Sequence, residues 1–97
     1  MSTYLIGQIH IQDPAGYQLY AAKVLGTLKE FKGRLVFLSN EVSVLEGKWP
    51  FPRTVIMEFE NKDLATRWYN SPEYQKIIPL RQTSAQTNIV LIENTLP

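Results

Sequence analysis

The chain has 97 residues, of which 44% are hydrophobic and 20% charged, and its formal net charge is +1, which predicts one domain over residues 1–97. The balanced charge argues against nucleic acid as a partner, the absence of cysteine excludes disulfides and thiolate catalysis, and a single histidine excludes a multi-histidine metal site. No apolar run approaches the ~18 residues of a membrane span and no secretory signal is recognisable, so we expect a cytoplasmic location, no membrane contact, no metal and no cofactor.

The first third of the chain predicts a strand followed by a helix. Residues Thr3–Gln12 alternate between two faces, which is the period of a strand. Asp13 is a helix-capping residue and Pro14 suits a first helical position. Apolar and aromatic residues at three- and four-residue spacing then predict an amphipathic helix that continues to Phe31. Gly33 follows as the expected left-handed stop.

The middle of the chain predicts two strands and a loop. Residues Arg34–Ser39 are rich in strand-forming residues, and we expect the chain to remain extended over 42–45. Two prolines and a glycine predict a loop over Glu46–Pro52. Residues Arg53–Glu60 form the third predicted strand.

The last third predicts a broken helix and a final strand. Asn61 can cap the helix, and the pair Ser71 and Pro72 should end it and restart a second helical segment that continues to about Gln82. Pro79 lies inside that segment and should shorten or kink it. Residues Thr87–Glu93 are the fourth predicted strand.

The order strand, helix, strand, strand, helix, strand predicts an α+β fold, the ferredoxin-like βαββαβ split sandwich, with helices on one face of an antiparallel sheet. The other face carries Ile6, Ile56 and Val90, which are too apolar to remain in water. A chain this short builds a modest core, so a sizeable cavity should need a second chain. We therefore predict a homodimer through the open sheet face.

A set of residues spread over nearly the whole chain carries a family resemblance, namely Tyr4, Asp13, Pro14, Tyr17, Tyr20, Gly33, Arg34, Leu45, Glu46, Gly47, Trp49, Arg53, Glu58, Phe59, Ala65, Trp68, Tyr69, Ser71, Pro72, Glu73, Tyr74, Arg81 and Glu93. By these residues the sequence resembles the DUF1330 family, a branch of the dimeric α+β-barrel superfamily. Lys32 stands where the family usually has the first of two glycines, and the turn 39–41 lacks the usual glycines. The resemblance implies a ferredoxin-like fold and a homodimer whose sheets pack into a barrel. The superfamily includes cofactor-independent oxygenases, isomerases, cyclases, dehydratases and haem-handling proteins, so the resemblance implies a small-molecule pocket and no particular reaction.

His10 is the only side chain whose unperturbed pKa lies near neutrality. We expect the first and third strands to be parallel neighbours, which would place His10 close to Glu58 and Glu60. His10 is then a candidate catalytic acid or base, oriented by Glu58. The alternative is a histidine that is satisfied at a strand end or dimer seam, and it is favoured because the pair forms no specific motif.

Two arginines at strand starts are candidates for holding an anionic substrate. Arg53 and Arg34 both lie near the predicted Trp49 loop, and a guanidinium binds a carboxylate through two parallel hydrogen bonds. The alternative, which is favoured, is that each arginine is solvated or forms an ion pair, with Glu46 as a candidate partner.

Arg81 shares a predicted helix face with Tyr74 and two isoleucines. A charge on an apolar face is costly without a partner. Arg81 therefore either pairs with a carboxylate such as Asp13 or Glu73, or binds the polar end of a substrate together with Tyr74.

Several aromatic residues can line a pocket for a flat ligand, namely Trp49, Phe51, Trp68, Tyr69 and Tyr74. Trp68 has the spacing of a core residue, whereas Trp49 lies in a loop and suits a lid or a partner contact. The pair Tyr17 and Tyr20 is most simply explained by helix packing.

Together with the resemblance, which supplies the reaction types and the dimeric barrel, these residues favour a cofactor-independent enzyme, of isomerase, cyclase, dehydratase or oxygenase type, that acts on a small hydrophobic or aromatic metabolite. His10 and Glu58 would be catalytic, and Arg53, Trp49, Trp68, Tyr74 and Arg81 would bind substrate. Two alternatives remain open: a non-catalytic small-molecule binding protein, and a structural or accessory dimer without a ligand.

Overall fold

A computed structural model describes residues 2–97, in which four strands form one antiparallel sheet. In chain order the elements are β1 (Thr3–Ile11), α1 (Pro14–Val24), β2 (Arg34–Ser39), β3 (Arg53–Phe59), α2 (Lys62–Tyr69), α3 (Pro72–Gln82) and β4 (Ala85–Glu93). The strand order across the sheet is β2-β3-β1-β4. This is the predicted ferredoxin-like α+β arrangement, with its second helical segment divided in two.

The direction of β3 differs from the prediction. Strand β1 pairs antiparallel with β3, so that Ile9 lies opposite Arg53 and Tyr4 lies opposite Glu58. The crossover through α1 returns the chain to the end at which β1 started, so β2 runs in the direction of β1. Strand β3 then runs back between them, antiparallel to both. The expectation that β1 and β3 are parallel was therefore wrong.

The connection from α1 to β2 also differs from the single helix predicted to reach Phe31. Helix α1 ends at Val24 and is followed by two short 3₁₀ turns, Leu25–Thr27 and Lys29–Phe31. The Thr27 hydroxyl donates a 2.6 Å hydrogen bond to the Val24 carbonyl, which satisfies an acceptor at the helix end. The left-handed residue is Lys32, with φ of 56°, and not Gly33 as predicted.

The helices on the same face start as the sequence predicts. The side chains of Asn61 and Ser71 accept hydrogen bonds from backbone N–H groups in the first turns of α2 and α3. Pro79 does not end α3, which continues to Gln82. It removes one N–H from the hydrogen-bond ladder, but the ladder resumes beyond it, where the Thr83 N–H donates to the Pro79 carbonyl at 3.0 Å.

Two boundaries in the second half differ from those predicted. Strand β4 begins at Ala85, two residues before the predicted start, because Ala85 still pairs with Ile11 of β1. Residues 42–45 form neither strand nor helix, although we expected them to continue the second strand. No helix among residues 2–97 is both long enough and apolar enough to cross a membrane.

The two faces of the sheet have different surroundings. One face packs under the helices, where Leu5, Ile9, Met57 and Phe59 are buried. The opposite face, which we call the open face, carries Ile6 and Ile56 on the central strands and is bordered by Phe37, Val90 and Ile92, each about half exposed. The described residues therefore enclose one core and leave a broad apolar surface uncovered.

Candidate functional site

A cavity of ≈ 120 Å³ lies between the helices and the buried face of the sheet. Its apolar wall is formed by Leu5, Ile9, Val24, Val55, Met57 and Ile89. Gly7 lies in its floor, where an added Cβ would stand 3.0 Å from a methyl group of Val55. The polar residues of its lining are Tyr17, Tyr20, Arg53, Tyr74 and Arg81, with Trp68 beside them. A single chain therefore forms this cavity, which we had expected to require a second chain.

A pair of tyrosines joins α1 to α3 at the cavity. The hydroxyl oxygens of Tyr20 and Tyr74 are 2.8 Å apart, and both side chains are buried. Burial, reinforced by Tyr74, raises the pKa of Tyr20 far above its usual range, so Tyr20 is protonated at neutral pH. Two hydroxyls carry two protons and their mutual hydrogen bond uses one. Among the described residues no acceptor takes the second proton, so it is available to a ligand.

Arg81 reaches the same cavity from the last turn of α3. Its side chain is only 4% exposed, its Nη1 donates a 2.6 Å hydrogen bond to Thr87, and its guanidinium carbon lies 5.9 Å from the Tyr20 ring centre. Burial alone would lower the pKa of Arg81, but its interactions with Tyr74 and Tyr20, including a hydrogen bond with Tyr74, raise it on balance. A guanidinium is in any case charged at neutral pH. Neither carboxylate proposed from the sequence, Asp13 or Glu73, forms an ion pair with it in residues 2–97.

Arg53 enters the cavity from the first position of β3. Its Nη1 donates a 3.0 Å hydrogen bond to the Asn40 side chain, and its guanidinium carbon lies 5.6 Å from the Tyr17 ring centre. The predicted ion pair with Glu46 is not formed in the described structure. Arg34 does not accompany it, because β2 places Arg34 opposite Glu58 at the other end of β3.

The predicted pair of His10 and Glu58 is not assembled. Antiparallel pairing puts Glu58 opposite Tyr4, six positions and about 20 Å along β1 from His10. His10 is exposed on the face opposite Ile9, where its ring stacks 6.2 Å from Phe51, and it does not line the cavity. In the part of the chain that is described, no group of three or more His, Cys, Asp or Glu side chains could hold a metal ion.

Glu58 takes part in a separate polar cluster at the far end of the sheet. Its carboxylate accepts hydrogen bonds from the Arg34 guanidinium and from the Tyr4 hydroxyl, the latter at 3.1 Å. Hydrogen bonds from Arg34 first, then from Ser2 and Tyr4, lower the pKa of Glu58. This carboxylate is thus held in its ionised form by its neighbours and does not face the cavity.

The predicted aromatic residues divide between the two faces of the sheet. Trp68 and Tyr74 line the cavity with ring centres 4.0 Å apart, and the indole N–H of Trp68 donates to Thr27 at 2.9 Å. Trp49 instead lies on the open face, where its N–H donates a 3.2 Å hydrogen bond to Thr54. Trp49 therefore cannot share a pocket with Tyr74 within one chain.

Sequence reasoning missed Tyr17 and Tyr20, which it treated as packing residues. Both belong to the buried stripe of α1, and their ring centres are 5.6 Å apart. A buried tyrosine usually has a hydrogen-bond partner for its hydroxyl. Two tyrosines on the buried stripe of one helix were therefore a signal that polar groups meet inside the fold.

Comparison with known proteins supports the family and the fold. A family model described as a domain of unknown function, DUF1330, matches residues 2–95. No curated protein matches the sequence closely enough to count as a relative.

Several solved structures are similar in fold at low sequence identity. A protein of unknown function from Rhodopseudomonas palustris is 14% identical, with a TM-score of 0.79 over 99% of this chain and 84% of that one. A dimeric ferredoxin-like protein of unknown function from Jannaschia sp. is 12% identical, with a TM-score of 0.76 over 97% of this chain and 100% of that one. SnoaB, a cofactor-independent oxygenase from Streptomyces nogalater, is 10% identical, with a TM-score of 0.71 over 99% of this chain and 95% of that one.

Proposed function

This chain belongs to the DUF1330 family of domains of unknown function, and we propose that it is a small-molecule enzyme whose site is the cavity between the helices and the sheet. The observation that carries the proposal is a mostly apolar cavity in which two arginines and three tyrosines converge. Pockets of this kind, apolar with a few placed polar groups, are where proteins bind small molecules.

The size of the cavity limits the ligand. An apolar cavity of about 150 Å³ is known to hold benzene, and this cavity measures ≈ 120 Å³. The ligand is therefore a compact molecule of about one ring, or the cavity holds the reacting end of a larger one. Its hydrophobic part would lie against Val24 and Met57, with the Trp68 and Tyr74 rings beside it.

The polar groups of the cavity suit a reaction in which negative charge develops on an oxygen atom. The spare hydroxyl proton of the pair Tyr20 and Tyr74 can be donated to that oxygen, and Arg81 supplies a fixed positive charge. Donors that are in place before reaction stabilise such a transition state most strongly in a site that excludes water. Isomerisation, cyclisation with dehydration, and oxygenation through an enolate-like anion all have this feature. The fold shared with SnoaB is compatible with the last of these.

A non-catalytic binding protein is the second candidate, and one observation favours it. The described residues that line the cavity include no Asp, Glu or His. A reaction that begins with proton abstraction would then need a base from the substrate itself or from water. In this alternative, the same residues hold a metabolite and release it unchanged.

We also propose that the protein is a homodimer through the open face. The support is the apolar character of that face, together with the dimeric state of the structurally similar protein from Jannaschia sp.. Because the cavity lies on the other side of the sheet, dimerisation would stabilise the sheet that forms its floor without closing the cavity directly.

A cavity-filling variant tests the proposed site. Val24→Phe adds a ring inside the cavity, whereas Leu19→Phe adds the same ring to an exposed position of α1 and is the matched control. The three proteins would be incubated with a fractionated metabolite extract and followed by mass spectrometry. We expect wild type and Leu19→Phe to bind and convert the same compound. We expect the affinity of Val24→Phe for that compound and its rate of conversion to fall by at least ~tenfold each, while its circular dichroism spectrum stays that of wild type.

Two other results would change the assignment. Binding with quantitative recovery of the unchanged compound after denaturation would favour the non-catalytic binding protein. Conversion by Val24→Phe at the wild-type rate would place the site elsewhere.

A further inference from the structure

The two arginines of the cavity are fixed in the same way. In each, Nη1 is anchored by a side-chain oxygen, Thr87 for Arg81 and Asn40 for Arg53. In each, Nε is buried and has no hydrogen-bond partner among the described residues. The guanidinium of Arg81 also interacts with the Tyr74 hydroxyl, which raises the pKa of Arg81. The Nε and Nη2 edge of a guanidinium carries the two parallel N–H groups that match a carboxylate. Both arginines therefore have at least one unpaired N–H, that of Nε, on the edge that matches a carboxylate.

Each arginine also has a tyrosine ring beside it. The guanidinium carbon of Arg53 lies 5.6 Å from the Tyr17 ring centre, and that of Arg81 lies 5.9 Å from the Tyr20 ring centre. A positive charge at this distance from a ring face is attracted to it. Such a contact does not replace a hydrogen-bond acceptor, so the Nε donors remain unpaired.

The charge of the cavity is uncompensated. Its described lining holds two arginines and no carboxylate, and the ion pairs found in residues 2–97 are those of Lys32, Arg34 and Arg67 with other partners. An unpaired buried charge is costly, and two like charges around one small cavity repel each other in a medium of low dielectric constant. A bound anion would remove both penalties.

We propose that the ligand of this cavity carries a carboxylate, with Arg81 as the residue that binds it through its guanidinium N–H donors. Arg53, which is less deeply buried, supplies the second positive charge. The hydrophobic part of the ligand lies on the apolar wall, and the spare tyrosine proton remains for the oxygen atom on which charge develops. This inference deepens the proposed function and rests on its assignment of the cavity as the binding site.

Matched pairs of ligands test the charge directly on the unmodified protein. Benzoate and cyclohexanecarboxylate would be compared with benzamide and cyclohexanecarboxamide, which have nearly the same shape and no charge, by calorimetric titration and thermal denaturation. We expect each carboxylate to bind at least ~tenfold more tightly than its amide and to raise Tm. Equal affinity for acid and amide would overturn the inference and leave the cavity as a binding site. No binding of either class would overturn both the inference and the proposed site.

Substitution of Arg81 identifies the residue responsible. Arg81→Met keeps most of the side-chain volume and removes the charge, Arg81→Lys keeps the charge and removes the planar fork, and Arg67→Met removes an exposed arginine as the control. We expect benzoate affinity to fall by at least ~tenfold in Arg81→Met, to fall less in Arg81→Lys, and to be unchanged in Arg67→Met.

The stability of the unliganded variants separates a ligand-binding role from a structural one. Arg81→Met should be as stable as wild type or more stable, because it removes an uncompensated buried charge. A strongly destabilised Arg81→Met protein that binds benzoate with wild-type affinity would assign Arg81 to the fold alone and overturn the proposal. If that variant does not fold, Arg81→Lys and the acid and amide comparison on wild type still decide the question.

Discussion

At the scale of single residues, the informative feature is a set of buried polar groups that the fold does not fully satisfy. Arg81 and the pair Tyr20 and Tyr74 meet where α1, α3 and the sheet enclose the cavity. Natural cores rarely retain unpaired polar atoms, since each costs about 1–3 kcal/mol. The sequence identified Arg81 as unusual, because it shares a face with isoleucines. The surroundings of Arg81 include Tyr20 and Thr87, which belong to other elements. Residue spacing within α3 therefore cannot predict these contacts.

The tyrosine pair gives a pH-dependent prediction. Tyr20→Phe should lower the free energy of unfolding at pH 7 by about 1–2 kcal/mol, because it leaves the buried Tyr74 hydroxyl without its partner. The pKa of Tyr20 is raised by burial above its ordinary value of 10.0. Above pH 10 the unfolded wild-type chain loses this proton while the folded one keeps it. The contribution of Tyr20 to stability is therefore fully present below pH 10. Above pH 10, the free energy of unfolding of wild type should fall by ~1.4 kcal/mol per pH unit relative to that of the variant.

Urea denaturation between pH 7 and pH 11 measures both effects. The double variant with Tyr74→Phe is the control, since removing both hydroxyls should cost less than the sum of the single changes. If the free energies of unfolding of wild type and Tyr20→Phe fall with the same slope above pH 10, the raised pKa of Tyr20 is contradicted.

At the scale of elements, the sequence predicted kinds and faces better than directions. Alternation in β1 correctly separates Ile9 from His10, because side chains on a strand alternate with a period of two residues. Alternation carries no information on whether a neighbouring strand is parallel. The pairing of His10 with Glu58 depended on that direction, and antiparallel β3 carries Glu58 to the far end. Chain crossovers, not local residue patterns, decide this part of a site.

The connection into β2 shows a second limit of sequence patterns. Gly33 was interpreted as a left-handed stop, but Lys32 has the positive φ. Glycine is needed at position 33 for a different reason, since an added Cβ would lie 2.5 Å from the Phe59 ring and 2.9 Å from Leu28. A contact with a strand 26 positions later in the chain cannot be inferred from the local turn.

A pair of glycine substitutions checks this interpretation. Gly33→Ala should lower the free energy of unfolding by about 1–3 kcal/mol, because the methyl group forces Phe59 to move in a packed core. Gly26→Ala adds the same atom where nothing lies within 4 Å, and it should be neutral or stabilise by up to ~1 kcal/mol. Chemical denaturation of the two variants beside wild type gives the comparison. A Gly33→Ala protein as stable as wild type would contradict the requirement for glycine beside the Phe59 ring.

At the scale of the whole molecule, the two faces of the sheet have separate tasks. One face, with the helices, encloses the cavity and its arginines. The open face has the Trp49 side chain over Thr54 and carries half-exposed Phe37, Val90 and Ile92. A patch of this kind marks an interaction surface in a stable protein. A two-fold dimer uses one patch twice, so each apolar residue would be buried in both copies.

The predicted dimer can be tested at its interface. Val90→Lys puts a charge on the open face at a position that is 50% exposed in the single chain, so the fold of each protomer should survive. Because two-fold symmetry introduces two lysines into one interface, we expect the dimer dissociation constant to rise by at least ~tenfold. Leu19→Lys, at a position of α1 that is 56% exposed, is the control and should not change assembly. Sedimentation equilibrium should give twice the chain mass of 11.2 kDa for wild type and Leu19→Lys, and a mass approaching 11.2 kDa for Val90→Lys. A monomeric wild type at micromolar concentration would contradict the dimer, whereas the cavity, which one chain forms alone, would remain intact.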